Sequence, residues 1–347
     1  MRIADIEHRL QALGAGPGHV ARVLRHWVQA RPQAAGRRDV AHFLPRPLLQ
    51  ALPGLEADLA GLARLRERHP GADGSARLLV DLADGQTVET VLLPRQGVCV
   101  STQIGCAVGC GFCMTGRSGL LRQLGSAEIV AQVALARTLQ PVRKVVFMGM
   151  GEPAHNLDNV LEAIELLGTQ GNLAHKQLVF STVGDARAFE RLLNRGPGGV
   201  KPALALSLHS TQADRRAALL PRAPRWEPSA LLAEALAYAR ATGYPLQVQW
   251  TLLAGVNDGD DELQALVPLL QGQPAILNMI PYNAVDGLDY RRPDPQRVTE
   301  IFRWLNQRGV LTRMRQSAGQ DVDAGCGQLR ARVLPLVPAR VARARAA

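Results

Sequence analysis

Residues Cys99–Gly116 read CVSTQIGCAVGCGFCMTG, and within them Cys106, Cys110 and Cys113 stand at C-x3-C-x2-C spacing. Thiolates this close converge on one object. A four-iron cluster offers four irons, so three cysteines leave one iron open. An open position is where a metal centre binds a substrate or cofactor. Gly105, Gly109 and Gly111 let the backbone wrap closely, and Phe112 gives the last cysteine an apolar cover. Zinc with a histidine as fourth ligand is the other reading. No histidine lies nearby in sequence, and structural zinc more often uses paired C-x2-C knuckles. A disulfide scaffold fails on the odd count. The spacing favours iron–sulfur and keeps zinc as the alternative.

From Val98 onward the chain alternates strand-like and helix-like runs. VCVSTQI, KVVFMGM, QLVFSTV, ALALSLH, LQVQWTLL and AILNMIPY are apolar and β-rich. The amphipathic runs Ala127–Leu139, Leu157–Leu167, Ala186–Leu193, Ser229–Thr242, Glu262–Leu270 and Gln296–Gln307 follow them in turn. Continuous apolar strands between helices predict a parallel sheet buried on both faces. Six such units predict an α/β fold, a partial (β/α)6 TIM-like barrel over residues 98–330. The polar words fall at the strand ends: the three cysteines, Gly149–Pro153, Ser181-Thr182, Ser207–Ser210 and Pro281–Asn283. In parallel barrels the carboxyl ends of the strands build the active site. These words are therefore expected to meet at one mouth.

Upstream, residues 1–72 read as a helical accessory segment. Ile3, Ile6 and Leu10 recur at helical spacing, as do Val20, Leu24, Trp27 and Val28. Pro32, Pro45, Pro47 and Pro53 are expected to cut it into short helices. Arg22, Arg25, Arg31, Arg37, Arg38 and Arg46 make it basic. Residues 73–97 read as a β-hairpin extension, with ARLLVDL and TVETVLL flanking the turn Ala83-Asp84-Gly85. Glu89 lies in the second strand, where an acid ordinarily marks the wet face. Residues 331–347 form a basic tail with Arg332, Arg340, Arg343 and Arg345.

The 347 residues carry 40 Lys+Arg against 30 Asp+Glu, a net charge of +10. That excess favours a polyanionic partner, although the arginines are spread along the whole chain. No apolar run reaches the length of a membrane span. The start MRIADIEHRL has no secretory core. Five cysteines, three in one cluster, fit a reducing compartment, so a cytoplasmic protein is expected.

C-x3-C-x2-C with an aromatic before the third cysteine resembles the radical S-adenosylmethionine (SAM) superfamily. VETVLLP, CVSTQIGCAVGCGFCMTG, FMGMGEPAHNLDNV, LALSLHS, IPYN and DVDAGCGQL occur in that order. Together they resemble the RlmN/Cfr-type RNA adenine methyltransferases, from about Glu89 to Leu329. The resemblance implies a [4Fe-4S] cluster on Cys106, Cys110 and Cys113. It implies SAM held at Gly151, Glu152, Ser181, Ser207, Leu208, His209 and Asn283. A lone histidine such as His209 is more often structural, but it sits here in a matching SLH word.

The last two cysteines gain roles by the same resemblance. Cys326 lies between two glycines in DVDAGCGQL, which predicts a mobile, uncrowded loop presenting the sulfur. Cys99 alone reads as a small apolar core residue. Carbons 2 and 8 of adenine are electron-poor and unsuited to polar attack on a sulfonium. The resemblance therefore implies an S-methylcysteine on Cys326, a 5′-deoxyadenosyl radical, Glu89 as base, and Cys99 as resolving thiol in a transient disulfide with Cys326. It implies carbon 2 of an adenine in 23S rRNA, and tRNA as a further substrate. Carbon 8 and a non-RNA substrate stand as alternatives. An electron donor such as flavodoxin or ferredoxin, and a monomer, complete the expectation. Met114 and the lead Gln316–Gln320 depart from the family pattern, whereas every cysteine and Glu89 are kept.

Anaerobic reconstitution is expected to leave about four irons and four acid-labile sulfides per chain. Stoichiometric zinc without sulfide would rule the cluster out.

Overall fold

The computed structural model describes residues 1–36, 39–196, 198–285 and 287–330. Arg37, Arg38 and the whole basic tail 331–347 lie outside the described residues. The strands are β1 Ala63–Pro70, β2 Ala76–Leu82, β3 Thr87–Leu93, β4 Gly97–Cys99, β5 Gln103–Gly105, β6 Leu120–Gln123, β7 Lys144–Phe147, β8 Leu178–Thr182, β9 Ala203–Ser207, β10 Leu246–Leu252, β11 Ala275–Pro281 and β12 Thr312–Met314. The helices are α1 Ile3–Ala12, α2 Pro17–Val28, α3 Arg46–Gly61, α4 Ser126–Leu139, α5 Leu157–Thr169, α6 Ala186–Leu193, α7 Ala213–Leu219, α8 Pro228–Thr242, α9 Asp260–Leu270 and α10 Pro295–Gln307.

One sheet runs β1-β2-β3-β4-β7-β8-β9-β10-β11-β12. The pairs from β1 to β4 are antiparallel, and those from β4 to β12 are parallel. Val145, Val146, Phe147, Leu178, Val179 and Phe180 are all buried, as a sheet covered on both faces requires. Helix ends carry the expected chemistry. Asp185 and Asp294 cap α6 and α10 through their side chains, and Gly243 ends α8 at φ 73°. This is the α/β architecture expected, with β12 adding a short strand beyond the six foreseen.

Three expectations need correction. The first 72 residues are not helical throughout: α3 stops at Gly61 and β1 pairs with β2. β1 is the sheet's edge, and its residues Arg64–Arg68 are all exposed, so no apolar period announced it. Pro53 does not end a helix but lies inside α3. Leu48, Leu52, Leu55 and Leu59 are buried along one face, and that packing outweighs one missing N–H donor. The run VCVSTQI is not one strand but β4 and β5, which belong to different sheets.

The break in that run has a definite cause. Gln132 of α4 accepts from Ser101 N at 2.9 Å and donates to Ser101 O at 2.9 Å. A side chain thus takes the place of a neighbouring strand at Ser101. Gln132 Oε1 also accepts from Thr90 Oγ1 on β3 at 2.8 Å. The N-terminal helices share the main core with the sheet. They are tied to it by Ile3 N to Ser126 Oγ at 2.8 Å and by Gln29 Nε2 to Gln170 O at 2.7 Å. Arg22 donates to Gln33 O and lies 5.0 Å from the Phe43 ring centroid, and Arg25 donates to Gln170. Two of the basic residues are therefore occupied within the fold. Among the described residues no helix is long and apolar enough to cross a membrane.

Gln132→Leu keeps the volume but leaves Ser101 N–H and C=O unpaired in the interior. The expected loss is roughly 2–4 kcal/mol, read as a lower denaturant midpoint at unchanged slope.

Candidate active site

The cysteine loop leaves β5 at Gly105, whose φ is 75° and whose position would bring a Cβ onto Gly119 O. Backbone bonds fold the loop back on itself and onto its surroundings. Cys106 N donates to Gly119 O at 2.9 Å, Gly111 N to Leu219 O at 3.0 Å and Met114 N to Gly327 O at 2.8 Å. A second, small apolar cluster that includes Val108, Phe112, Leu219, Leu253 and Tyr282 packs against the cysteines. Burial pushes the Cys106 thiol up to about 12 and raises Cys110 and Cys113, with neighbouring cysteines adding to the rise. Held this way without a cation, the three are thiols; three thiolates here require a positively charged core. Among the described residues no three His, Cys, Asp or Glu groups are placed to hold a single metal ion. A multi-iron cluster takes each cysteine on a separate iron, so three thiols on one loop suit it without meeting at a single point.

All three cysteines line one cavity of about 150 Å³. Gly151, Glu152, Ser181, Ser207, His209 and Cys326 line it too, so strand ends far apart in sequence do meet at one mouth. Gly151 has φ 99°, and a Cβ there would meet Gln103 at 2.6 Å. Its glycine therefore serves the close approach of the Gln103 side chain, whose Oε1 accepts from Glu152 N at 2.8 Å. The Glu152 carboxylate accepts from Ala154 N and from Val183 N, each at 3.1 Å. Burial nevertheless lifts it to about 7. His209 adopts φ 60°, uncommon for a residue with a Cβ. Its Nδ1 accepts from Thr251 N at 2.9 Å, which leaves the proton on Nε2. Burial, aided by Arg216, holds His209 down to about 3, so the ring is neutral at physiological pH. Phe112 packs edge-on against it at 4.9 Å.

A smaller chamber of about 110 Å³ adjoins this cavity. Cys113, Met148, Arg315 and Cys326 border both spaces, and Cys99 borders the chamber. Cys326 is exposed and Cys99 is buried. Burial pushes the Cys99 thiol up to about 12, with Cys326 adding and the Arg315 guanidinium opposing. All five cysteines are free. The Cys99–Cys326 disulfide is therefore not a feature of this structure, which holds one thiol on β4 and the other on a separate loop.

That loop is not the uncrowded one expected. Asn283 Nδ2 donates to Cys326 O at 3.0 Å and to Ser317 Oγ at 2.9 Å. Gly325 N donates to Gln328 Oε1 at 2.9 Å. A Cβ on Gly325 would meet Asn283 Nδ2 at 2.8 Å, and one on Gly327 would meet Phe112 O at 3.1 Å. The flanking glycines are there for close contact.

Three expected site residues line neither the cavity nor the chamber. Leu208 is fully buried, and its N–H donates to Gln249 O at 3.1 Å. Asn283 supports the Cys326 loop, and its Oδ1 is buried without a partner among the described residues. Glu89 is buried, pairs with Arg77 at 3.0 Å and accepts from Arg330 N at 3.0 Å. Sequence reasoning did not place Arg216, Gln249 or Arg315 at this mouth. Gln249 and Arg315 line the cavity and are joined at 3.3 Å. The signal available for Gln249 was a polar residue inside the apolar run LQVQWTLL.

Glu152 is raised from its unfolded value near 4.5 to about 7. A carboxyl raised in the folded state favours folding while protonated and loses that advantage as pH climbs between those values. The metal-free protein is expected to lose thermal stability from pH 5 to 7, with a flatter slope in Glu152→Gln. Equal slopes in scanning calorimetry would contradict this.

Residues 100–267 match the model of the Radical SAM superfamily. A protein named probable RNA methyltransferase from Leptothrix cholodnii is 66% identical over 334 residues, covering 96% of this chain and 95% of its own. One of the same name from Methylibium petroleiphilum is 67% identical over 336 residues, covering 96% and 94%. The crystal structure of a radical SAM methyltransferase from Sphaerobacter thermophilus superposes with a TM-score of 0.80 at 33% identity, covering 96% of this chain and 98% of that one. On these likenesses, the chain belongs to the radical SAM superfamily and, within it, to the family of these probable RNA methyltransferases.

Proposed function

We propose that this protein is a radical SAM enzyme that methylates an aromatic carbon of adenine in RNA, at carbon 2 in 23S rRNA and in tRNA, in the manner of the RlmN/Cfr-type enzymes. The observation that carries this reading is the place of Cys326. It is the exposed cysteine, and it stands where the three-cysteine cavity meets the chamber of Cys99. A sulfur so placed suits a methyl carrier between a cofactor and a large external substrate.

Cys106, Cys110 and Cys113 would hold a [4Fe-4S] cluster, and Glu152, Ser181, Ser207 and His209 would orient SAM beside it. When bound and reduced, that pair supplies a carbon radical able to take hydrogen from an unactivated C–H bond. Cys326 carries the methyl group, and Cys99 across the chamber resolves the protein–RNA adduct. The neutral His209 donates from Nε2 without adding a cation to the pocket. Glu89 would be the base at the substrate once its carboxylate, here buried and held by Arg77 and Arg330 N, is released toward the site. The N-terminal helical segment grips RNA, with sequence-independent phosphate contacts from its free basic residues. A small acidic redox protein such as flavodoxin or ferredoxin supplies electrons to a monomer in the cytoplasm.

With labelled SAM and rRNA, wild-type protein should place label on Cys326 and on an RNA adenine. Cys326→Ala should lower RNA methylation by about 10³-fold or more at unchanged iron content. Cys99→Ala should keep the methyl on Cys326 while product release falls at least about tenfold, leaving RNA crosslinked to protein. Methylated RNA from cluster-loaded Cys326→Ala protein would end this reading.

A further inference from the structure

Arg216 sits on α7 and is 3% exposed. Its Nη2 donates to Val183 O, and to Ser207 O at 3.3 Å. Both acceptors are neutral carbonyls, and Nε is buried with no partner among the described residues. Its neighbour Arg215 behaves ordinarily, pairing with Asp261 at 3.0 Å and Glu262 at 2.6 Å. A buried cation without a carboxylate in contact is expensive. It persists where negative charge stands close by.

The surroundings say which charge. Val183 and Ser207 both line the three-cysteine cavity, and Val183 N binds Glu152. The segment carrying Arg216 is fastened to the cysteine loop: Gly111 N donates to Leu219 O at 3.0 Å and Arg222 N donates to Val108 O at 3.2 Å. Burial lowers the Arg216 guanidinium to about 10, still a cation at physiological pH, with Cys110 and Glu152 opposing. Three thiolates around a cluster, with the Glu152 carboxylate, make a net anion in a buried cavity.

We propose that Arg216 is the counter-ion of this site: its guanidinium balances the negative charge of the loaded cavity and holds the cluster's reduction potential up. This rests on the reading that the three cysteines hold a [4Fe-4S] cluster. Reduction adds an electron beside a fixed cation, and local charge is one of the levers on cluster potential. Arg216 touches no reacting atom. It is a positioning and charge-balancing residue.

The test uses full-length protein reconstituted anaerobically with iron and sulfide, without RNA. Iron and sulfide content are measured first, then the potential by titration followed with electron paramagnetic resonance. Arg216→Gln should keep its cluster, with a reduced-to-oxidised ratio about tenfold lower at a fixed potential, a shift of about 59 mV for one electron. Arg216→Lys should stay near wild type. A full cluster in Arg216→Gln at the wild-type potential overturns the proposal. If Arg216→Gln loses its cluster, Arg216→Lys decides. Retention at the wild-type potential upholds the charge role, while loss in both variants marks a tie to Val183 and Ser207 and overturns it. Wild-type protein that takes up no iron and sulfide defeats the cluster reading itself, and this proposal falls with it.

Discussion

The amide of Gln132 is the constraint on which the site depends. By pairing with both backbone groups of Ser101, it ends the first parallel strand after Cys99. The chain is then free to turn out of the sheet, pair β5 with β6 and deliver the cysteine loop over the barrel mouth. Ser101 Oγ completes the junction, donating to Glu89 O at 2.6 Å and accepting from Met150 N at 2.9 Å. Hydrogen bonds in a dry interior are strong and directional. One buried junction therefore sets β3, β4, α4 and the GMGEP loop relative to one another.

Around that frame the mouth is electrically graded. Cys99 lies deep and its thiol is strongly held in the protonated form, while Cys326 meets solvent. His209 is kept neutral, Glu152 is balanced near neutrality, and Arg216 is a buried cation. Burial is the leading cause in each shifted case. The apolar cluster of Val108, Phe112, Leu253 and Tyr282 is therefore as much a part of the chemistry as the polar groups it encloses.

Much of this could be read from residues alone. Continuous apolar runs, set against helices of period three to four, located β7 to β11 and their helices, because those strands are buried on both faces and must be apolar. The rule that polar words gather at strand ends brought Cys106, Glu152, Ser181 and Ser207 to one cavity. What could not be read has physical reasons. β1 is an exposed edge whose charges hide its extended form. The break at Ser101 is made by a side chain 31 residues away. Gly325 and Gly327 look the same in sequence whether they grant motion or close packing. The role of Asn283 in holding the Cys326 loop depends on contacts between segments 43 residues apart.

An open sheet of ten strands has two ends, and unpaired strand edges invite other chains to add to them. Here one end is β1, whose exposed run carries Arg64, Arg66, Glu67 and Arg68. The other is β12, only three residues long. Charge guards the first edge and brevity the second. A protein built on so large an open sheet thus offers little template for edge-to-edge strand addition.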